Sequence, residues 1–313
     1  MAPPPPYDVL CGIWDAVAAR HPALLVPLSL LAHDARELAK KRWFRVLCVG
    51  SSAGPASTDF PAVSVDRLQD YLETRTEEVR SVLHLHIRGV GVTGTALLEA
   101  AIGVCSQLVT LWIDQDGPYA LSPRLGGLSD LSHLRELTLP SSLLTTGGPF
   151  PDLRLDQVTH LHLAPFVPRH TVDVPALASF PRLTHFGFGE EPDGWCVANV
   201  VGSRETLGVL VRVQRDVAGD LPPKRYHVHE RIVYLEHTVM DPDQDWLKRA
   251  CPAWQPECGL AWDQWTFFDA VMGARRRGKL LPLEHPVGIT NRVQDHLAEL
   301  AVTPEAEVQR RGD

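Results

Sequence analysis

One short pattern, apolar-x-x-apolar-x-apolar, recurs along the middle of the chain and constrains its fold more than any other feature. It stands at Val82/Leu85/Ile87, Leu108/Leu111/Ile113, Leu134/Leu137/Leu139, Val158/Leu161/Leu163 and Leu183/Phe186/Phe188. Successive copies start 26, 26, 24 and 25 residues apart. The stretches before them carry apolar residues in steps of three, as in Ile102/Cys105, Leu125/Leu128/Leu131 and Val174/Leu177/Phe180. A step of three suits a helix or a tight turn that packs its inner side, and the x-apolar-x-apolar part suits a short strand with alternate side chains buried. One such unit buries little surface alone, so neighbouring units must stack and share a core. The expected product is an α/β chain in the form of a curved rod with a long accessible strand face.

This period lies inside the roughly 20 to 29 residues of leucine-rich repeats, which residues 79–237 resemble. The buried asparagine usual in that family is replaced by Val90, Asp116, Ser142, Phe166 and Glu191 in the five copies, so irregular turns are expected. Two further copies continue the period at Leu207/Leu210 and Ile232/Leu235, which would aim Arg212 and His237 inward. A slip of one residue at the first of these buries Val211 and Val213 instead, because it exchanges the two faces of a strand. Both registers stand at this point.

Ahead of the repeats, Val9, Ile13, Trp14 and Val17 fall at helical spacing, and Leu28, Leu31, Ala35 and Leu38 at another. Pro22 and Pro27 break the path between these two short amphipathic helices, and Trp43 to Val49 reads as a strand ending in Gly50. The order Pro5-Pro6-Tyr7-Asp8-Val9-Leu10-x-x-Ile13-Trp14-x-x-Val17, then Leu24/Leu25/Leu28/Leu31 and Trp43-Phe44, resembles an F-box over residues 4–45. The whole layout is similar to fungal F-box-like leucine-rich-repeat proteins. That resemblance implies a substrate-recognition subunit of a cullin-RING (SCF-type) ubiquitin ligase. Leu10, Ile13, Trp14, Leu28 and Leu31 would contribute to docking a Skp-type adaptor protein, and the repeat array would bind a target protein of unknown identity.

Four segments follow from this reading: an F-box-like helical segment at 1–49, a loop and N-terminal capping helix at 50–78, irregular repeats at 79–237, and a C-terminal helical cap and tail at 238–313. In the second, Ser64 is placed to cap a helix from Val65 to Glu77 with Leu68 and Leu72 buried. In the last, Ala261, Trp265, Phe268 and Met272 form one helical stripe expected to close the end of the stack. Arg275, Arg276 and Arg277 fall in its last turn and Gly278 at its exit, a favourable charge and stop for a helix C-terminus.

Charge and composition narrow the function. Thirty basic against 38 acidic residues leave a net charge of -8, which repels phosphate backbones and argues against general nucleic-acid binding. The longest apolar run, Ala23 to Ala32, is interrupted by Pro27 and Ser29 and is half the ~20 residues of a membrane span, so no membrane partner is expected. Met1 to Pro6 lacks the charge and apolar core of a secretory signal, which predicts a cytoplasmic or nuclear chain. Six scattered cysteines suit buried thiols, Cys251 and Cys258 included, since no second pair completes a zinc site.

Two motifs imitate catalytic ones by letters alone. Gly50-Ser51-Ser52-Ala53-Gly54 matches a nucleophile elbow, but Pro55 and the polar residues after it give no helix to complete the turn. Gly273 to Lys279 matches a phosphate-binding loop, but Leu280 replaces the Ser or Thr and a helix precedes it where a strand is required. The chain is therefore expected to be a binding module with neither catalysis nor cofactor. With Leu85 and Ile87 inward, the outward side of the strands carries His84, His86, Trp112, Glu136, His160, His162 and His185. Glu136, His160 and His185 would form one row ~4.8 Å apart, able to hydrogen-bond a partner or hold a metal ion. Trp112, Glu136, His160, His162 and His185 are the expected target-binding residues, Trp112 foremost because tryptophan is enriched among interface hot spots. The alternative is a free-standing leucine-rich-repeat scaffold, with N-terminal helices that only cap the array and no link to ubiquitin transfer. Exposure of Ile13 and Trp14 distinguishes the two.

Overall fold

The repeated pattern emerges as strands that start at residues 84, 110, 136, 160, 185, 208 and 232. A computed structural model describes residues 7–20, 24, 27, 29–30, 33–50, 62–88, 94–114, 125–144, 153–163, 172–189, 192, 194–215, 229–238, 264–278 and 287–288. The strands are β1 (Val46–Gly50), β2 (Ala62–Ser64), β3 (His84–Arg88), β4 (Thr110–Asp114), β5 (Glu136–Leu139), β6 (His160–Leu163), β7 (His185–Phe188), β8 (Gly208–Arg215), β9 (Ile232–Thr238) and β10 (Val287–Gly288). They make one open sheet in the order β10-β9-β8-β7-β6-β5-β4-β3-β1-β2, and every adjacent pair is parallel. From β3 to β10 the order in space is the order in the chain. Only β2 departs from it, by adding to the far edge of β1.

The helices are α1 (Tyr7–Arg20), α2 (His33–Trp43), α3 (Val65–Thr74), α4 (Thr76–Arg80), α5 (Gly94–Val104), α6 (Gly194–Ser203) and α7 (Gln264–Arg276). Between strands the chain returns through α5, through α6, or through 3-10 turns at Leu125–Asp130, Ser141–Leu144 and Val174–Ser179. Leu85, Leu111, Leu137, Leu161 and Phe186 stand side by side in register, and Ile87 pairs with Ile113 two residues on. They join the residues in steps of three, Ile102, Leu128, Leu131, Leu177 and Phe180 among them, in one continuous core from Leu47 to Ile232. The helix expected over 65–77 divides at Arg75 into α3 and α4, with Leu68 and Leu72 buried as expected and no side-chain cap from Ser64. Cys48, Cys105 and Cys196 are buried and form no disulfide, and burial pushes the Cys105 thiol up to about 12. Cys251 and Cys258 lie outside the described residues, as do residues 51–54 and 279–280 of the two imitated motifs. Among the described residues no helix is long and apolar enough to cross a membrane.

Two expectations are corrected and one open register is resolved. At β8, Val209 and Val211 continue the files of Phe186 and Phe188 in the core, on the face of the slipped alternative but two residues before its Val211/Val213 pair, while Leu210 belongs to the other side. At β9, Ile232 pairs with Val209 and takes the place expected for Leu235, which pairs with Arg212. Both segments are apolar at consecutive positions, so alternation carries no register signal there. The other correction concerns α7, whose aromatic side chains lie against the strand face and do not close an end of the stack. A stripe of Trp, Phe and Met finds more area to bury across several strands than on one terminal unit. The helix does end as expected, with Gly278 at φ 69° and Arg275 and Arg276 in the last turn.

Candidate functional site

Two surfaces bring the expected residues together. The first is α1, whose Val9 and Ile13, one turn apart, are exposed; Ile13 keeps 49% of its surface open. Leu10 and Trp14 are half-buried on the same helix, and Leu24 and Leu30 after it are exposed. Leu28 and Leu31 lie outside the described residues. Helix α1 packs against α2, in which Ala35 and Ala39 are buried, while Val9 and Ile13 stay exposed.

The second surface is the side of the sheet opposite the core, where two files of residues run across the strands. One passes Val46, His84, Thr110, Glu136, His160, His185 and Gly208; the other passes Cys48, His86, Trp112, Thr138, His162, Gly187 and Leu210. The row of Glu136, His160 and His185 thus forms as expected. The accessibility does not. Trp112 is 3% exposed and His162 1%, and Glu136, His160 and His185 are only half-buried. Trp112 stacks edgewise between His86 and His162, with ring centres 5.6 and 5.8 Å away. Part of the cover is α7: Trp265 lies 5.1 Å from His160, 6.4 Å from His162 and 5.6 Å from His185, and Phe268 packs on His185.

The electrostatics of this surface follow from that cover. His160 and His185 stack with ring centres 4.1 Å apart, and His185 Nε2 lies 3.0 Å from Asp269 Oδ1 on α7. Burial first, and then the charge of His185, pushes the His160 imidazole down to about 3, against a smaller opposing pull from Asp269. The imidazoles stack face to face and do not converge on a point, and among the described residues no three ligand groups gather to hold a metal. Thr184 Oγ1 lies 2.8 Å from His185 Nδ1, which gives Thr184, His185 and Asp269 the connectivity of a nucleophile–base–acid relay. The same Thr–His contact recurs at Thr159 and His160, and Thr184 also donates to the Thr159 carbonyl. A contact that repeats along the stack belongs to the local strand geometry and fixes the imidazole orientation.

Beneath the C-terminal half of α7 a cleft of about 500 Å³ is lined by Thr184, Glu205, Arg231, Asp269, Met272 and Arg275. Reading the sequence missed α7 as a component of this surface. The signal that marks it is the pair of glycines, Gly187 and Gly208, at positions where preceding strands carry His, Thr, Glu or Trp. No family model matches the chain, and no curated protein matches it.

Proposed function

We propose that the protein is a non-catalytic recognition subunit of an SCF-type ubiquitin ligase, in which the N-terminal helices dock a Skp-type adaptor and a leucine-rich-repeat-like solenoid recognises a target protein. The observation that carries this reading is the apolar surface of α1, where Val9 and Ile13 remain exposed on a helix that packs against α2. An apolar helical surface of this kind marks a contact with another protein. The parallel stack supports the second half through its strand order, which follows the chain from β3 to β10 as in a repeat array.

The test is direct mixing of the purified chain with a purified Skp-type adaptor, read by size-exclusion chromatography and calorimetry. A complex with micromolar or tighter affinity is expected, with Ile13→Glu abolishing it at an unchanged melting temperature because the side chain is exposed. No complex with the native chain at micromolar concentration overturns the reading. The second reading, a free-standing repeat scaffold, is favoured by the burial of Trp112 and His162, which in this arrangement cannot touch a target.

A further inference from the structure

Helix α6 commits one side to the core and leaves the other open. Cys196, Val197, Val200 and Val201 are buried in the apolar cluster, which turns Trp195, Ala198, Asn199 and Gly202 the other way. Trp195 is 65% exposed, and apart from four aliphatic side chains between residues 9 and 30 it is the one large apolar side chain left open among the described residues. Tryptophan is enriched where interfaces concentrate their binding energy. The open side of α6 forms one wall of a groove. The facing wall is the chain that enters the 3-10 turn Val174–Ser179, with Val172, Asp173, Val174 and the exposed Pro175.

The dimensions of the groove select the form of its occupant. From Trp195 to Gly202 the helical stripe is ~10.5 Å long, so a volume of about 570 Å³ makes a slot roughly 7 Å wide. A helix with its side chains is about 10–12 Å across and stays outside. A strand finds no edge to pair with on α6, whose backbone groups bond within the helix. A polyproline II chain is narrow and leaves its carbonyls free, and one turn of three residues at ~3.1 Å each matches the stripe. Prolines three residues apart then lie on Trp195 and over Gly202, where even a Cβ would meet nothing within 4 Å. Between them stands Asn199, one turn from Trp195, with an amide that can donate to a free carbonyl.

Charge adds a second requirement. Among the described residues that line the groove, Asp173 alone is charged. Its side chain makes no cap bond to the 3-10 turn. Arg154, in an adjoining hollow of about 300 Å³ that Asp173 and Pro175 also line, is held by Asp156 at 2.6 Å. The Asp173 carboxylate is therefore open to a cation brought by the occupant.

We propose that this groove binds a proline-rich segment of a partner protein in the polyproline II form, with two prolines three residues apart and a lysine or arginine beside them for Asp173. The groove lies on the side of the sheet that carries the core. It uses neither the α1 surface nor the strand face, and it goes beyond the ubiquitin-ligase reading without resting on it.

The experiment titrates a fluorescein-labelled peptide of eight prolines and two C-terminal arginines into the full-length chain, read by anisotropy. Saturable binding with a dissociation constant below about 500 µM is expected. Trp195→Ala should weaken it at least tenfold, and Gly202→Leu, which fills one end of the slot from an exposed helical position, should abolish it. Asp173→Asn should weaken this peptide about threefold and leave a ten-proline peptide unchanged. Circular dichroism follows the melting of each protein. No binding to the native chain at about 1 mM, or undiminished binding to Trp195→Ala or Gly202→Leu, overturns the proposal. Equal binding of a Gly-Ser peptide with the same arginines overturns it by showing charge attraction alone, and equal binding of an alanine-based helical peptide by showing a helix-binding surface. Loss of the cooperative melt in both Trp195→Ala and Gly202→Leu overturns it as well, because the stripe is then part of the packing.

Discussion

At the scale of single residues, His160 is the group whose surroundings most alter its chemistry. It is enclosed by Trp265, stacked on His185 and hydrogen-bonded to Thr159, so the fold accepts its neutral form and resists the charged one. A folded-state value near 3 against an ordinary 6.5 means that the unfolded chain binds the proton first. The stabilisation from neutral His160 is therefore complete above pH 6.5 and declines as pH falls from there toward 3, by at most about 1.4 kcal/mol per pH unit for one proton. Melting curves between pH 7.5 and 4.5 should fall more steeply for the native chain than for His160→Leu; parallel curves would show that burial does not set this titration. The position of His160 was legible in the sequence, because His-Leu-His-Leu alternates cleanly and places both histidines opposite the core. Its burial was not, because alternation reports which side a residue faces and not what lies over that side.

Among the elements, the joints between successive strands are where the structure differs most from what the repeat pattern in the sequence suggests. In place of an asparagine, long cationic or amide side chains reach the backbone of the preceding unit. Gln157 Nε2 donates to the Leu128 carbonyl, and Arg204 to those of Leu177 and Phe180. Arg231 donates to Arg204, Leu207 and Val201, and Arg275 to Glu230 and Ile232. These contacts satisfy carbonyls that the irregular turns leave outside the strand ladders. Arg231→Met keeps most of the aliphatic stem and takes the guanidinium from three part-buried carbonyls, of which that of Arg204 still accepts from the Leu207 N–H, so it should cost about 1–3 kcal/mol in urea unfolding. A loss under 0.5 kcal/mol would mean that water replaces the guanidinium. The absence of asparagine was visible in the sequence, but its replacement was not: a side chain that bonds 24 to 45 residues back leaves no local pattern. The strands with a polar residue at every second position were read in their true register. β8 gave two registers because Leu207, Val209, Leu210 and Val211 are apolar on both sides.

For the whole molecule, the decisive property is that each strand hydrogen-bonds only to its neighbours in chain order from β3 to β10, so most of the cooperativity must pass along the sheet one joint at a time. The core follows the same order from Leu47 to Ile232, with helices and 3-10 turns packed on one side of the sheet and α7 across β6 to β8 on the other. Leu161 lies near the middle of that core, fully buried between Leu137 and Phe186. Leu161→Ala should remove about 2–5 kcal/mol, the ordinary cost of such a cavity. In a closed globule that loss would lower one shared transition. Here it should weaken the coupling between the two flanks, so that β3 and β4 on one side and β7 and β8 on the other unfold at separate urea concentrations. Hydrogen exchange under increasing urea measures this strand by strand. In the native chain the protection of both flanks should vanish together, and in Leu161→Ala the flank with less apolar burial should lose protection first. Coincident loss in the variant would require contacts between the flanks that do not run through β6, and the sheet order offers no such route.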